Sequence, residues 1–440
     1  MVALSFYFQV HQPYRLRHVR LDESAEGPSL FSDEKNRSVF HKVANKCYWP
    51  MGKLLEHLLL KYPSDFKVSF SFSGTFLSQC AEYDPDLMNL YTFISRLPNA
   101  DIICETSHHS LAALKSPQEF IQQVSQQRSK LEQLFHKSPR VFRNTELIYS
   151  DSIGRMVADL GFEGCLLEGW DPWLPKPWNA HHVFHHPARQ QLKLLPKSYK
   201  LSDDMAFRFS DRNWSSWPLT AERYIQWLES LLDGQHEFVG LFMDYETFGE
   251  HQWADSGIFY FFEDFVHRVV AHPTLHFIGV EDALRFQPRS AMSVPVPTSW
   301  ADTERDLSAW LSNPLQEEAL ERIMALETLV TQINQPDLTE QWRKLQTSDH
   351  FYYMCIKYSH DGDVHKYFSP YDSPYDAYLD HRNAVEAFQE RCLARVATLR
   401  QAHSVLAHQE VHANPQQPEQ ITTMLPSAIS EMRINVGATP

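Results

Sequence analysis

The chain alternates short apolar segments with longer stretches of helical periodicity, and this alternation restricts its fold class more than any other feature. Residues 2–10 place apolar side chains at every second position, which is the pattern of a strand, and Pro13 marks its end. Further short apolar segments follow at 68–73, 101–104, 140–142, 164–167, 238–243 and 275–280. Helical patterns lie between several of them, including 54–59, 120–134 and 153–160. Strands that alternate with helices in this way predict an α/β protein with a parallel sheet.

The sequence pattern changes after about residue 315. Apolar residues recur at helical spacing over 315–332 and again over 380–402, so we expect this part to be mainly helical and to pack on the sheet domain. The last segment, 406–440, contains NPQQPEQ and few large apolar residues. We expect this segment to be a flexible tail.

The charge balance restricts the partners of the protein. The 55 Asp and Glu residues outnumber the 40 Lys and Arg residues, so the formal net charge is −15. Nucleic acids and anionic membranes are bound by basic surfaces, so we expect neither partner. Because no apolar segment has the length of a membrane span and the N-terminus does not resemble a signal peptide, we expect a cytoplasmic protein.

Common cofactor motifs are missing from the sequence. There is no GxGxxG and no GxxxxGK[ST] segment, which argues against dinucleotide and P-loop nucleotide binding. The six cysteines form no CxxC pair, which favours free thiols over a zinc site.

Polar residues follow the predicted strands at the point where each strand ends. They are His11, Glu105, Glu146, Glu168 and Asp244. In α/β barrels the catalytic groups lie at these carboxyl ends, and an open parallel sheet binds its ligand at the same edge. The pattern therefore predicts one site at one edge of the sheet, in either architecture.

Two of these acids suggest a chemistry. Glu146 and Asp244 each follow a short buried strand, and Glu246 lies two residues further on, on the same side if the strand continues. Each acid alone could form an ion pair or cap a helix. Two acids at the ends of two strands are the arrangement that glycoside hydrolysis needs, because one carboxylate attacks the sugar and the other donates a proton.

Histidines and tryptophans offer further candidates. His11 and His109 closely follow strands and could bind sugar hydroxyls or, together with acids, a metal ion in a deacetylase-like site. The HHVFHH run at 181–186 favours structural or surface histidines. Several tryptophans, among them Trp300, lie in loop-like segments where an aromatic face could stack on a sugar. We expect about half of these tryptophans to pack within the loops instead.

Five segments, taken in order, resemble glycoside hydrolase family 57, and most closely its α-amylase branch. They are His11–Pro13, Glu105–Leu111 (ETSHHSL), Phe142–Leu147 (FRNTEL), Met243–His251 (MDYETFGEH) and Ser299–Asp302 (SWAD). The segments 304–313, 348–354 and 363–378 also resemble that branch, so the likeness covers about residues 1–390. His108 departs from the family pattern, in which an aromatic residue is common before the paired histidine.

The resemblance implies an incomplete seven-stranded (β/α) barrel over residues 1–290. It implies a helical region over 291–405 that contributes to the active-site cleft. It also implies a retaining mechanism on α-glucans without a metal or organic cofactor. Glu146 matches the family nucleophile and Asp244 matches the general acid/base. We expect the remaining site residues to contact sugar or to orient this pair: His11, Glu105, His109, Glu246, His251 and Trp300.

Three other functions remain open at this point. A 4-α-glucanotransferase or branching enzyme would use the same residues but exclude water from the intermediate. A non-catalytic protein would bind α-glucan without turnover. A metal-dependent deacetylase would use His11, His109 and Asp244 as ligands.

Overall fold

The computed structural model describes residues 1–20, 27–232, 234, 236–357 and 369–413, and for 402–413 it describes the backbone alone. Within this part there are nine strands: β1 Val2–Val10, β2 Val68–Phe72, β3 Ala100–Ile102, β4 Val141–Arg143, β5 Gly164–Glu168, β6 Phe184–His186, β7 Arg189–Lys197, β8 Phe238–Asp244 and β9 Leu275–Phe277. Each apolar segment that the sequence indicated overlaps one of these strands. The hairpin of β6 and β7 was not predicted from the sequence.

Seven parallel strands form the barrel in the order β3-β2-β1-β8-β7-β5-β4. The sheet returns on itself between β3 and β4, where the Cys104 N–H bonds Val141 O at 3.0 Å and the Arg143 N–H bonds Cys104 O at 2.8 Å. On the opposite side β7 and β8 share only the pair Lys197 and Gly240 among the described residues, so the ladder there is very short. The predicted incomplete seven-stranded barrel is confirmed. Of the other two strands, β6 pairs antiparallel with β7, and β9 runs parallel to the start of β1.

The long strand β1 is buried along its whole length, because both of its faces are covered. Tyr7 points into the barrel and contacts Phe242 of β8 with ring centroids 5.6 Å apart. Phe6 and Phe8 belong to the larger core outside the barrel, where both pack against Phe262. The barrel interior is thus a packed core, and its open end lies where the strands finish.

Fifteen α-helices and one π-helical turn surround or follow the barrel within the described residues. They are α1 Asp33–Val43, a π-helical turn Ala44–Tyr48, α2 Trp49–Lys61, α3 Gly74–Tyr83, α4 Pro85–Arg96, α5 Ala112–Lys115, α6 Pro117–Phe135, α7 Asp151–Asp159, α8 Tyr199–Ala206, α9 Ala221–Glu229, α10 Ile258–Val270, α11 Pro314–Ala325, α12 Glu327–Ile333, α13 Pro336–Lys344, α14 Ser348–Tyr352 and α15 Pro374–Ala413. Side-chain caps begin several of them, for example Ser73 at α3 and Ser150 at α7, because a serine oxygen satisfies a free N–H of the first turn.

The helical region after residue 313 packs on the barrel side, as its periodicity indicated. One buried anchor is Arg343 of α13, which donates to both oxygens of the buried Glu119 in α6 at 2.6 and 3.0 Å. The pattern over 315–332 is two helices rather than one, because the chain turns at Leu326. The last helix includes residues 406–413 of the predicted tail, and 414–440 lie outside the described residues.

Two further expectations can be compared with the structure. All six cysteines are buried free thiols. In the part of the chain that is described, no helix combines the length and the apolar character needed to cross a bilayer.

Candidate active site

The predicted site residues come together where the barrel strands end. His11 follows β1, Glu105 follows the β3 segment, Glu146 follows β4 and Asp244 is the last residue of β8. Because these strands are parallel, their carboxyl ends share one mouth. The residues that follow the predicted strands therefore lie together at one end of the barrel.

Glu146 lies in a 3₁₀ turn, Thr145–Leu147, directly after β4. Its backbone has a left-handed conformation, with φ of 56°, and Leu147 follows with φ of 51°. Such conformations are unfavourable for residues other than glycine and are typical of functional positions. Its side chain accepts hydrogen bonds from Trp300 Nε1 at 2.8 Å and Ser348 Oγ at 3.3 Å. The Glu146 carboxylate is thus held by side-chain hydrogen bonds and does not cap a helix.

His109 joins two carboxylates. Its Nδ1 lies 2.9 Å from Glu105 Oε2 and its Nε2 lies 3.2 Å from Glu146 Oε1. Burial alone would lower the pKa of His109, but the hydrogen bonds and charges of Glu105 and Glu146 raise it to about 9. At neutral pH the ring is therefore an imidazolium that donates to both acids.

Glu105 is the buried residue of the hydrogen-bonded series Glu105, His109 and Glu146. Its Oε1 accepts a hydrogen bond from Gln9 Nε2 at 3.1 Å, and Gln9 in turn accepts from Tyr7 and Ser71. Burial raises the pKa of Glu105, but the hydrogen bond and charge of His109 outweigh it and lower the pKa below its ordinary value. Glu105 therefore fixes the charge and the orientation of His109.

The two central acids have opposite pKa shifts. For Glu146, burial raises the pKa, but His109 and the Arg143 charge lower it below its usual value. For Asp244, burial and the Glu146 charge raise the pKa to about 7, although Arg143 and His109 oppose the shift. Two carboxyl groups in one site thus favour different protonation states near neutral pH.

His11 stacks on His109 with ring centroids 4.0 Å apart. Its Nδ1 lies 2.7 Å from Ser73 Oγ and its Nε2 lies 2.9 Å from Asp349 Oδ2. Burial and the adjacent His109 charge lower the pKa of His11. The stacked pair therefore combines a neutral imidazole with a charged one.

Glu246 does not continue the strand as the sequence pattern allowed. β8 ends at Asp244, and Tyr245–Thr247 forms a 3₁₀ turn. The Glu246 side chain accepts a 2.5 Å hydrogen bond from Tyr48 Oη. Burial and the Asp244 charge raise the pKa of Glu246 to about 8, although the Tyr48 hydrogen bond opposes this. His251 lies on the same loop, where its N–H bonds Glu246 O at 2.9 Å.

A glycine lets this loop pack closely on the barrel wall. Gly249 has φ of 110°, and a Cβ at this position would lie 1.9 Å from the Lys46 carbonyl oxygen. Only glycine can occupy this position without displacing the π-helical turn. The loop that carries Glu246 and His251 is therefore held against Ala44–Tyr48.

The helical region supplies two residues that were not among the predicted site residues, Ser348 and Asp349. The Ser348 N–H bonds His109 O at 2.9 Å. The Ser348 hydroxyl thereby reaches Glu146, and the Asp349 carboxylate reaches His11. The segment 348–354 was part of the family resemblance, but periodicity gave no sign that its first turn enters the site.

Trp300 is placed by a backbone hydrogen bond and by two cations that lie over its ring. Its backbone N–H bonds Glu146 O at 3.2 Å. The Arg143 guanidinium lies 4.7 Å from the ring centroid, and Lys197 Nζ lies 5.5 Å from it. Arg143 is fully buried, and its three nitrogens have no hydrogen-bond partner among the described residues. A buried cation on the interior face of β4 was not predicted from the sequence.

Other polar candidates have structural surroundings. His186 is buried and bonds the Asp151 carbonyl at 2.8 Å, which agrees with a structural function for the 181–186 run. His108 is paired with Glu340 at 3.1 Å. Glu168 is bound to Arg305 and not to the central acids. Among the described residues no group of three or more His, Cys, Asp or Glu side chains could hold a metal ion.

Comparison with known proteins agrees with this geometry. The sequence model of glycosyl hydrolase family 57 matches residues 5–297. A protein of Methanocaldococcus jannaschii described as "Putative alpha-amylase" is 37% identical over 402 residues, which cover 88% of this chain and 84% of that protein.

Two solved structures share the fold. The alpha-amylase AmyC from Thermotoga maritima superposes with a TM-score of 0.61 at 12% identity, over 90% of this chain and 93% of its own. The 4-alpha-glucanotransferase from Thermococcus litoralis superposes with a TM-score of 0.58 at 16% identity, over 80% of this chain but only 56% of the longer glucanotransferase. With the family match over most of its length and the close relative, the chain belongs to glycosyl hydrolase family 57.

Proposed function

We propose that the protein is a retaining α-glucan hydrolase of the α-amylase type, which cleaves α-1,4-glucosidic bonds in starch, glycogen or maltodextrin. The observation that carries this proposal is the contrast between Glu146, held ionised by His109, and Asp244, whose pKa is raised to about 7. A retaining glycosidase needs one carboxylate as nucleophile and one carboxylic acid as proton donor.

In the first step an ionised Glu146 oxygen attacks the anomeric carbon. The bond to the leaving oxygen breaks, and Asp244 transfers its proton to that oxygen. The new ester between Glu146 and the sugar removes a negative charge from the site. Because that charge raises the pKa of Asp244, its loss lets Asp244 remain a carboxylate.

In the second step Asp244 takes a proton from water while the water oxygen attacks the anomeric carbon. The ester bond breaks, and Glu146 leaves as a carboxylate. Trp300 and Ser348 donate to the Glu146 oxygens and His109 donates a charged hydrogen bond, so the departing charge is stabilised where it forms. We propose that His11, Glu105, Glu246 and His251 bind or orient sugar.

The second candidate is a 4-α-glucanotransferase. It is favoured by the fold shared with the Thermococcus litoralis enzyme of that name, and it differs only in whether water or a sugar hydroxyl opens the ester. A branching enzyme uses the same two residues with a different acceptor position. A non-catalytic glucan-binding protein and a metal-dependent deacetylase are the remaining alternatives.

The test is a reducing-end assay on soluble starch and maltoheptaose with wild type and Glu146→Gln. Glu163→Gln is the matched control, because Glu163 is a surface residue paired with Arg140. Reducing ends that rise in wild type and in the control, but not in Glu146→Gln, are expected. A constant number of reducing ends with redistributed oligomer lengths would replace the hydrolase by the transferase. Binding without either change would overturn catalysis altogether.

A further inference from the structure

We propose that Arg305 is a positioning residue for the nucleophile, because it fixes the loop that presents the Trp300 indole to Glu146. This inference deepens the proposed function and rests on it, because only the proposed function makes Glu146 the nucleophile. The contacts between Arg305, Trp300 and Glu146 themselves do not depend on which substrate is cleaved.

The loop 299–305 is closed on itself. The Ser299 N–H bonds Arg305 O at 3.0 Å, and the Ser299 hydroxyl bonds Asp306 O at 2.6 Å. Asp302 and Arg305 have left-handed backbones, with φ of 53° and 54°. Two non-glycine residues in this conformation are unfavourable unless surrounding contacts hold the loop.

The Arg305 guanidinium supplies those contacts. It donates to Trp300 O at 2.6 Å, to Glu168 Oε2 at 3.2 Å and to Asp203 Oδ2 at 2.6 Å. One side chain therefore joins the backbone of Trp300 to two carboxylates. The planar fork of arginine can reach all three acceptors at once, whereas the single ammonium of lysine cannot.

The carboxylates that hold Arg305 belong to rigid elements of the barrel. Glu168 ends β5 and Asp203 lies in α8. Both are buried, and Lys197 at the end of β7 balances them, with Nζ 2.9 Å from Asp203 Oδ1 and 3.7 Å from Glu168 Oε2. Two basic and two acidic side chains form this cluster, so each acid lies beside bases in a buried site.

The cluster acts on Glu146 through Trp300. Arg305 bonds the Trp300 carbonyl, while the Trp300 N–H and indole Nε1 bond Glu146 O and Oε2 at 3.2 and 2.8 Å. No direct contact between Arg305 and Glu146 is present among the described residues. A displacement of the nucleophile by about 1 Å can cost on the order of 10²-fold in rate.

The first arm of the test detects the Trp300 environment without using activity. The protein is labelled with 5-fluorotryptophan, and its ¹⁹F NMR spectrum is recorded for wild type, Arg305→Met and Asp203→Asn. Trp300→Phe assigns the Trp300 resonance. Arg343→Met is the matched control, because Arg343 is equally buried and carboxylate-bound but contacts α6 instead of the Trp300 loop.

We expect the Trp300 resonance to shift in Arg305→Met and, by less, in Asp203→Asn, and to stay in place in Arg343→Met. Asp203→Asn keeps the inference testable if Arg305→Met does not fold, since it removes one charge at constant shape. A Trp300 resonance that is unchanged in both site variants, or moves equally in the control, overturns the inference.

The second arm is a double-mutant cycle on maltoheptaose. We expect Arg305→Met to lower kcat about tenfold to a hundredfold with KM nearly unchanged, and Arg305→Lys to restore little of it. In the Trp300→Phe background, Arg305→Met should lower kcat less than threefold, because the indole that Arg305 positions is already absent. If the loss of kcat in the double variant equals the product of the losses in the two single variants, Arg305 does not act through Trp300. A wild type that is inactive on every α-glucan would refute the proposed function, while the NMR arm would still decide the Arg305 contact.

Discussion

His109 Nε2 lies 3.2 Å from Glu146 Oε1, and both residues have left-handed backbones, with φ of 50° and 56°. The barrel thus accepts unfavourable backbone conformations at two positions to place an imidazolium against a carboxylate. This contact connects the buried Glu105 to the open end of the barrel.

His109→Gln should slow the opening of the glycosyl ester. The change removes a charged donor that stabilises Glu146 as it leaves as a carboxylate, and a hydrogen bond to a charged group contributes about 1.5–3 kcal/mol, so the rate of the second step should fall roughly tenfold to a hundredfold at pH 6. Because His109 lowers the pKa of Glu146, the acid limb of the pH profile should move to higher pH. His108→Gln, beside it but paired with Glu340, should leave that limb in place.

The pH dependence of kcat/KM should be bell-shaped. Asp244 must be protonated to act as the acid, so activity should fall as pH rises through its pKa of about 7. Glu146 must be ionised, so activity should fall again as pH drops through its lowered pKa. The two limbs belong to the coupled pair. Initial rates on maltoheptaose across this range measure them, and a rate that stays constant up to pH 9 would contradict the assignment of Asp244.

Arg143→Met should move both limbs of that profile to higher pH. The Arg143 charge favours the ionised forms of Glu146 and Asp244, and its removal raises both pKa values. The loss of activity should therefore be larger at acidic than at alkaline pH. Arg143→Lys retains the charge and should retain the limbs. Equal losses at every pH would point to a packing defect instead.

Arg343→Met should destabilise the protein without changing the pH profile. The variant leaves the Glu119 carboxylate buried without its main partner, and breaking a buried pair costs about 3–5 kcal/mol. Urea unfolding followed by circular dichroism measures the loss. Arg382→Met breaks a half-exposed ion pair with Glu386 and should lower the free energy of unfolding by less than about 1 kcal/mol. Similar losses in the two variants would contradict the anchoring function of α13.

Much of the fold could be predicted because its signals are local. The alternation in residues 2–10 and the runs at 164–167 and 238–243 each mark a strand, and the acids that follow them meet because parallel strands end together. The β6–β7 hairpin was missed because polar residues such as Arg189 and Gln190 occupy the exposed start of β7. The local pattern there does not differ from that of a loop.

Residues of the candidate site were predicted where they closely follow a strand, and missed where tertiary packing brings them in. His11, Glu105 and Glu146 belong to the first kind. Ser348, which lies 202 positions from Glu146, belongs to the second. Glu168 shows the converse, since it follows a strand but is neutralised by Lys197 and Arg305. Strand position alone cannot distinguish a catalytic acid from a buried ion pair.

The most direct test of the account is to trap the covalent intermediate. Wild-type protein is incubated with a 5-fluoro-α-glucosyl fluoride, which forms the ester quickly and releases it slowly, and the labelled peptide is sequenced by mass spectrometry. We expect one sugar per chain, attached to Glu146, and no label in Glu146→Gln. A label on Asp244 or on another residue, or turnover of natural substrate with an inverted product and no label, would contradict it.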